Sequence, residues 1–471
     1  MLTLCDVWEG LTGQKARLPD IELGEVVVDS RLAGPGVAFF ALRGERLDGH
    51  DFVADAFSRG AYCAIVEREI PDLECAWLDT RRPEIERMDV RPPICFLVPQ
   101  SLKALQDLAA HWRRKHNPRI VGITGSVGKT TTKEAVYAVL ARRFRTLKSE
   151  GNYNNEIGLP LALLKLNPAH ERVVLEMGMY DLGEIARLAE IARPHLGVVT
   201  NVGPVHLERL GTIERIAQAK AELVEALPPD GVAILNGDDP WVRGMAEKTR
   251  ARPFYYGLTE NCDLRASHIE SRGLEGVRFQ MHYGKETVHA RIPLLGRHSV
   301  HTALAASAVG LLEGEGWEEI IAGLREGKAQ LRLVVVPGLG GSLIMDDTYN
   351  SNPASAIAAL NLLEELEGRK VAVLGDMLEL GSYEEEGHRK VGRRAVDVAD
   401  FLLTVGPRAR LIAEEAKTYG MQPEKIVSVD NNAEAVACLK EMVSSGDVVL
   451  VKGSRGMRME EIVSALTSGG D

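Results

Sequence analysis

The segment VGITGSVGKTTTKEAVYAVL, residues 121–140, restricts the fold more than any other part of the chain. A run of β-branched residues leads into two glycines, and a stretch with helical spacing follows Lys129 and Thr130. A strand, a glycine loop and a helix in this order are typical of a phosphate-binding loop, because backbone N–H groups and the helix N-terminus face the anion. Lys129 would contact the terminal phosphates, and the Thr130 hydroxyl would bind Mg²⁺. Ile123 stands where the general pattern has its first glycine, so a glycine turn with an incidental lysine is the alternative interpretation.

Composition limits the class of protein. A chain of 471 residues is long enough for about three domains. The formal net charge of −11 and the lack of a long basic tract argue against nucleic acid as a partner. No apolar run approaches the ~18 residues of a membrane span, and the first residues do not resemble a secretory signal. The six cysteines form no CxxC pair, which favours free thiols and a cytoplasmic location.

The order of apolar runs and helical stretches predicts an α/β fold with three domains. We predict an N-terminal domain over 1–98, a connector helix and central parallel-sheet domain over 99–330, and a C-terminal doubly wound domain over 331–471.

Two residues follow strands of the predicted central sheet. Glu176 ends the run RVVLE, and His206 comes shortly after LGVVTNV. Because ligands bind at the carboxyl ends of parallel strands, Glu176 is a candidate Mg²⁺ ligand. The alternatives are a solvated glutamate at a strand end and an ordinary loop histidine.

Lys220 lies on the apolar face of the predicted helix TIERIAQAKAELVEAL, in line with Ile213, Ile216 and Ala217. Burial would lower the pKa of this amine. One interpretation is a lysine that extends to the edge of the apolar stripe. The other is a neutral amine that takes up CO₂ and, as a carbamate, offers two oxygens to a second Mg²⁺.

Several motifs, taken in order, are similar to those of the Mur ligase superfamily. They are the shortened loop GSVGKTT with Glu176, His206 and Lys220 after it, and the segments GNYNNEIGLPLALL, DDTYNSNPAS, LGDMLELG and VKGSRGMRME. The resemblance extends from Asp29 to Glu460. It implies an N-terminal UDP-sugar-binding domain, a central ATPase-like domain and a C-terminal Rossmann-like domain. It further implies a monomeric, ATP-dependent ligase that joins D-alanyl-D-alanine to UDP-N-acetylmuramoyl-tripeptide through an acyl phosphate.

The resemblance also implies roles for individual residues. Around ATP it places Thr124, Gly125, Ser126, Val127, Gly128, Lys129, Thr130, Thr131, Asn155, Asp347 and Asn350. For catalysis and two Mg²⁺ sites it implies Lys129, Thr130, Glu176, His206, carbamylated Lys220 and, at the γ-phosphate, Arg332. For the UDP-linked substrate it implies Ser30, Arg31, Arg43, Asp48, Gly49 and His50, and for the incoming dipeptide Lys452, Ser454 and Arg455.

The sequence departs from the superfamily in LLGRHSVHTALAA, where Ser299 and Thr302 replace two asparagines. Three alternatives to the dipeptide ligase are left open. They are a sibling Mur ligase that adds the third amino acid, a ligase that extends folate with glutamate, and a binding protein gated by nucleotide.

Overall fold

Three β-sheets of five or more strands, each with helices packed against it, follow one another along the chain, and a two-stranded antiparallel sheet precedes them. The computed structural model describes residues 1–15, 18–82, 90–205, 207–326 and 333–467. The predicted α/β class is confirmed. The boundary predicted between residues 330 and 331 lies outside the described residues.

The N-terminal domain is built on a five-stranded parallel sheet of order β3-β4-β5-β7-β6. A capping box between Thr3 and Asp6 begins its first helix. The strands are β1 (Leu2–Thr3), β2 (Glu22–Leu23), β3 (Val26–Val27), β4 (Ala38–Phe40), β5 (Cys63–Val66), β6 (Ala76–Asp79) and β7 (Ile94–Leu97). The helices are α1 (Leu4–Thr12) and α2 (Val53–Ser58), and the helix α3 (Ser101–His116) follows this domain.

Helix α3 is the predicted connector, and it is tied to the central domain by hydrogen bonds. The Trp112 indole donates to the Leu166 carbonyl at 3.0 Å, and the Arg113 guanidinium donates to the Ala192 carbonyl at 2.8 Å. Both donors are buried, so these bonds hold the first two domains together.

The central domain contains a nine-stranded sheet of order β16-β15-β14-β13-β12-β11-β8-β10-β9. Its strands are β8 (Arg119–Thr124), β9 (Thr146–Lys148), β10 (Arg172–Glu176), β11 (Leu196–Val199), β12 (Val232–Asn236), β13 (Arg252–Gly257), β14 (Leu264–Ser271), β15 (Val277–Tyr283) and β16 (Glu286–Ile292). Its helices are α4 (Lys129–Leu140), α5 (Gly158–Leu164), α6 (Glu184–Ala192), α7 (Leu207–Leu210), α8 (Ile213–Glu225), α9 (Pro240–Arg243), α10 (Ser299–Leu312) and α11 (Trp317–Glu326).

Strand β8 lies between β10 and β11, so the chain order reverses on either side of it. A crevice forms at such a switch point, beyond the carboxyl ends of the strands. The phosphate loop leaves β8 at this place. The sheet is parallel from β9 to β14, whereas β15 and β16 add an antiparallel edge that the sequence analysis did not anticipate.

The C-terminal domain has a six-stranded sheet of order β17-β18-β22-β19-β20-β21, parallel except for the pairing of β17 with β18. Its strands are β17 (Val334–Pro337), β18 (Leu343–Asp347), β19 (Arg369–Gly375), β20 (Phe401–Val405), β21 (Ile426–Val429) and β22 (Asp447–Lys452). Its helices are α12 (Pro353–Glu365), α13 (Glu384–Val398), α14 (Arg410–Thr418), α15 (Asn432–Met442) and α16 (Glu460–Thr467).

Among the described residues, the C-terminal domain contacts the central domain at several places, and two of them show how closely the domains meet. The Ser271 hydroxyl donates to the Glu365 carboxylate. A Cβ added to Gly381, whose φ is +53°, would lie 2.9 Å from the backbone nitrogen of Glu208 in α7. The two domains therefore meet closely enough at α7 that a side chain at Gly381 would separate them. No helix within the described residues is long and apolar enough to cross a membrane.

Candidate active site

The phosphate loop is preformed. Its two glycines have φ values of +149° at Gly125 and +83° at Gly128, in the region that favours glycine. A Cβ on Gly125 would lie 1.8 Å from the Thr200 hydroxyl, so only glycine fits there. The Lys129 ammonium donates to the Gly125 carbonyl at 2.9 Å and so folds back over the loop. An anion in the loop would meet backbone N–H groups and this ammonium together.

Residues that follow β11 hold the loop in place. The Val127 N–H donates to the Asn201 amide oxygen at 2.9 Å, and the Asn201 amide donates back to the Val127 carbonyl at 2.9 Å. The Gly203 N–H donates to the Ser126 hydroxyl at 2.8 Å. Sequence reasoning missed Thr200 and Asn201, although their place at the end of β11 was an available signal. Two predicted members of the loop region, Thr124 and Thr131, lie at the end of β8 and in the first turn of α4.

Glu176 is fully buried at the end of β10, next to β8. The Thr130 hydroxyl donates to one of its carboxylate oxygens at 2.8 Å, and the Asn154 amide donates to the other at 2.8 Å. Its backbone N–H donates to the Ser149 hydroxyl at 3.3 Å. Two predicted metal ligands, Thr130 and Glu176, are therefore brought into contact.

The two adjacent asparagines differ in what they contact. The Asn155 side chain, predicted to be on the nucleotide side, accepts hydrogen bonds from the backbone N–H groups of Ile157 and Gly158 at 3.4 and 2.9 Å. It therefore shapes the start of α5. Asn154, which sequence reasoning missed, reaches Glu176 instead.

Lys220 is buried in α8 with only 2% of its surface exposed, as its helical spacing predicts. Burial, followed by the nearby Lys129 ammonium, lowers the pKa of Lys220 well below its usual range. This shift favours the neutral form of the amine. Two other predicted residues, His206 and Arg332, lie outside the described residues.

Oxygen donors dominate the described part of this centre. Within that part, no three His, Cys, Asp or Glu side chains converge as a metal site. The Thr130 hydroxyl and the Glu176 carboxylate are hard oxygen donors that suit Mg²⁺, which usually keeps several waters and takes few protein ligands.

In the C-terminal domain, a buried lysine ends β22. The Lys452 ammonium donates to the Asp347 carboxylate at 2.6 Å and to the Asn350 carbonyl at 2.8 Å. The Arg455 guanidinium lies 5.5 Å from the centre of the Tyr349 ring. Lys452, Asp347 and Asn350 are thus brought together, and the lysine charge is already matched by a carboxylate.

Ser454 connects this group to the segment LGDMLELG. The Leu378 N–H donates to the Ser454 hydroxyl at 2.8 Å, and the Ser454 N–H donates to the Asp376 carbonyl at 3.0 Å. The Asp376 carboxylate accepts from the Ala409 N–H at 2.7 Å, and burial raises its pKa. The Asp376 side chain was not among the predicted site residues.

His388 was also missed. Its Nδ1–H donates to the Glu384 carbonyl at 2.7 Å, and its Nε2 accepts from the Met377 N–H at 3.0 Å. Burial lowers the pKa of His388, which favours this neutral tautomer. The histidine therefore fixes the backbone beside Asp376.

In the N-terminal domain, the predicted substrate residues form two adjacent turns. The Arg31 guanidinium donates to both Asp29 oxygens, and these hydrogen bonds lower the pKa of Asp29 to about 2. Arg31 is highly exposed, whereas Ser30 beside it is buried.

The second turn contains Arg43, Asp48, Gly49 and His50. The His50 ring donates from Nδ1 to Asp48 at 2.5 Å and accepts at Nε2 from the Glu67 N–H at 2.8 Å. A Cβ on Gly49 would lie 2.7 Å from backbone atoms of Leu42, so the turn requires glycine. Arg43 is 3.7 Å from Asp48 and largely exposed, so it presents a cation to solvent.

Ser299, which replaces an asparagine of the superfamily motif, faces the backbone. Its hydroxyl donates to the Gly296 carbonyl at 2.7 Å. The nearby His301 ring contacts the Asp238 carboxylate at 2.8 Å.

Comparisons with known proteins agree with this geometry. Three family models match in order: the Mur ligase family catalytic domain over residues 22–113, the Mur ligase middle domain over 123–310 and the Mur ligase glutamate ligase domain over 331–455. The UDP-N-acetylmuramoyl-tripeptide–D-alanyl-D-alanine ligase of Bacillus subtilis is 38% identical, and the match covers 94% of this chain and 92% of that protein.

Solved structures are similar over the same length. A crystal structure of MurF from Acinetobacter baumannii has a TM-score of 0.84 and 32% identity, and the match covers 98% of this chain and 97% of that chain. MurF ligase from Thermotoga maritima, in complex with ADP, has a TM-score of 0.79 and 30% identity, with 95% and 97% covered. On this similarity across all three domains, the chain belongs to the Mur ligase family.

Proposed function

We propose that this chain joins D-alanyl-D-alanine to UDP-N-acetylmuramoyl-tripeptide with hydrolysis of ATP to ADP and phosphate. The main support is its likeness, over 94% of its length, to a curated ligase with that name. We further propose that residues 1–98 bind the UDP-linked substrate, 99–330 bind ATP and 331–471 bind the dipeptide.

The nucleotide would occupy the loop at the end of β8. Lys129 and the N-terminus of α4 that follows the loop are suited to hold its phosphates, because the ammonium lies over the preformed loop. A neighbouring family structure in complex with ADP supports nucleotide binding. Asp347 and Asn350 would face the nucleoside, and Arg332 the γ-phosphate.

Two Mg²⁺ ions would be held by Thr130, Glu176, His206 and Lys220. The buried and adjacent oxygens of Thr130 and Glu176 fit one ion. Lys220 fits the second only as a carbamate, formed when its neutral amine adds to CO₂ and releases a proton. Its lowered pKa supports this modification. When bound, the ions would neutralise the repulsion between the attacking carboxylate and the phosphates.

The reaction would proceed in two steps. The free carboxylate of the tripeptide attacks the γ-phosphorus of ATP, and ADP leaves, which gives an acyl phosphate. The amine of D-alanyl-D-alanine then attacks the carbonyl carbon, a proton is lost from nitrogen, and phosphate leaves from the tetrahedral intermediate. Lys129 would stabilise the negative charge of the phosphoryl group during its transfer. The dipeptide would be held by Lys452, Ser454 and Arg455.

Water must be excluded while the acyl phosphate exists, so we propose that the domains close around the substrates. We also propose that the chain acts as a monomer. The free cysteines are consistent with a reducing cytoplasm.

The test is incubation of the purified chain with ATP, Mg²⁺, D-alanyl-D-alanine and UDP-N-acetylmuramoyl-tripeptide, the latter with either meso-diaminopimelate or L-lysine as third residue. We expect ADP and the pentapeptide product, identified by mass, only when both acceptor and dipeptide are present. Transfer of a single amino acid to a dipeptide or a folate would indicate another ligase. Phosphate release unaffected by either substrate would indicate a nucleotide-gated binding protein.

A further inference from the structure

Lys133 lies in α4, one turn beyond Lys129, and is completely buried. Its ammonium donates to the Gly151 carbonyl at 3.0 Å and lies 3.3 Å from a carboxylate oxygen of Glu134. A buried ammonium is costly unless its hydrogen bonds are made. The interactions that retain this charge therefore connect α4 to the segment that contains Gly151.

That segment, residues 149–154, contacts Glu176 at both of its ends, through Ser149 at the backbone N–H and through Asn154 at the carboxylate. Gly151 has a φ of +50°, and the Asn154 N–H closes a tight turn on the Asn152 carbonyl at 2.7 Å. The turn places the Asn154 side chain on Glu176 at 2.8 Å. The Asn154 carbonyl accepts from the Gly178 N–H at 2.8 Å.

Gly178 restricts the space around the Asn154 side chain. A Cβ on Gly178 would lie 3.0 Å from the Asn154 side-chain carbon. Gly151 is three residues before Asn154, so a shift of the Gly151 carbonyl would move the amide that holds Glu176. Among the contacts described for Gly151, the hydrogen bond from Lys133 is the one that links its carbonyl to α4.

We propose that Lys133 is a positioning residue, which fixes the 149–154 turn so that Asn154 orients the Glu176 carboxylate toward Thr130. This role rests on the proposed function, because Glu176 is a candidate ligand at the centre of that reaction. Lys133 touches neither the loop carbonyls that Lys129 binds nor Glu176 itself in the contacts described, so it acts through the turn.

The chain offers a matched control. Lys148 in β9 contacts the same carboxylate, Glu134, but lies over the Tyr137 ring at 4.5 Å and is 30% exposed. Within the described part of the chain, the side-chain contacts of Lys148 do not include the 149–154 turn. Lys133→Met and Lys148→Met therefore remove one cation each from Glu134, and only the first removes the bond to Gly151.

The first measurement is amide hydrogen exchange in nucleotide-free and metal-free protein. In Lys133→Met, we expect protection of the Asn154 and Gly178 amides to fall at least about tenfold, whereas Lys148→Met leaves it unchanged. The second is kcat for substrate-dependent phosphate release. We expect a decrease of about 10- to 100-fold for Lys133→Met, the usual loss when an outer partner of a ligand is removed.

A double variant separates this role from a general effect on folding. If Lys133 acts through Asn154, Lys133→Met with Asn154→Ala has the kcat of Asn154→Ala alone. Multiplied effects, or unchanged exchange and kcat in folded Lys133→Met, would overturn the proposal. Should Lys133→Met not fold, Lys133→Gln takes its place in the same comparison. If the wild-type chain makes no ligase product, the proposed function fails, and the exchange measurement still decides the role of Lys133.

Discussion

Two buried lysines, one in the central domain and one in the C-terminal domain, have opposite surroundings. Lys452 ends a strand of the C-terminal sheet and is 1% exposed, with the Asp347 carboxylate 2.6 Å from its ammonium. Lys220 is 2% exposed in a helix of the central domain, where burial and the charge of Lys129 both disfavour its ammonium form.

The difference shows that burial alone does not make a lysine reactive. A carboxylate partner, such as Asp347 beside Lys452, stabilises the charged form of an amine. Where the neighbouring charge has the same sign, the neutral amine is favoured, and it becomes a nucleophile toward CO₂. Burial beside a like charge therefore supports the carbamate proposed at Lys220, whereas the Lys452 ammonium is paired with a carboxylate.

The largest effect that tests this comparison is on catalysis. We expect Lys220→Ala to lower kcat by about 10³-fold, the loss usual for removal of a group that stabilises transition-state charge. A short-chain carboxylic acid added to the variant should restore part of the activity, because it supplies the missing carboxylate. Steady-state rates with and without the acid measure this.

Lys452→Met serves as the contrasting variant, since no carboxylate is proposed there and the acid should have no effect on it. Failure of both bicarbonate and the acid to rescue Lys220→Ala would contradict a carbamate at this position.

Much of this arrangement follows from local sequence rules. The helical spacing of Ile213, Ile216 and Lys220 predicts the burial of the lysine, which is confirmed. The shared edge of parallel strands predicts that Glu176 lies near the phosphate loop, and Thr130 does contact it. Both predictions depend only on repeat geometry within one element or one sheet.

Other parts depend on contacts between distant segments. Whether Asn154 or Asn155 faces Glu176 is decided by a tight turn anchored at Gly151, and no spacing rule distinguishes two adjacent asparagines. The burial of Lys133, in contrast, could have been predicted from the sequence. This lysine lies three residues before Val136 and seven before Leu140, on the same buried face of α4. The spacing rule that identified Lys220 would have identified it too.

A second prediction concerns stability and applies the same substitution to both lysines. Lys452→Met leaves Asp347 without its cation, so we expect a loss of about 3 to 5 kcal/mol in the free energy of unfolding. Lys220→Met removes an amine whose charged form is disfavoured, and we expect no loss or a small gain. Chemical denaturation of the metal-free variants measures both.

A partner variant tests the cause of the loss at Lys452. Asp347→Asn combined with Lys452→Met removes both charges and should be more stable than Lys452→Met alone. Equal destabilisation by Lys220→Met and Lys452→Met would show that the carboxylate does not explain the difference.

Glu315 extends the comparison to a buried acid. Its substitution is expected to have the smallest of the three effects, a change in how stability depends on pH. It is 4% exposed between α10 and α11, and neither carboxylate oxygen has a hydrogen-bond partner within the described structure. Burial, with the nearby Glu319 charge, raises its pKa to about 7. A raised pKa in the folded state means that Glu315 stabilises the protein fully below its ordinary pKa of 4.5, and that this contribution is lost as pH rises through 7.

Glu315→Gln removes this dependence, because an amide does not ionise. Relative to wild type, we expect its free energy of unfolding to be larger above pH 8 than near pH 4 by roughly 3 kcal/mol, so that the variant is relatively more stable at high pH. The exposed neighbour Glu318→Gln, which differs from Glu315 in burial, should show no such change with pH. A pH-independent difference for Glu315→Gln would mean that this carboxyl titrates normally. Burial without a partner would then be too weak a cause to account for the lowered pKa of Lys220, and the Lys129 charge would have to account for it alone.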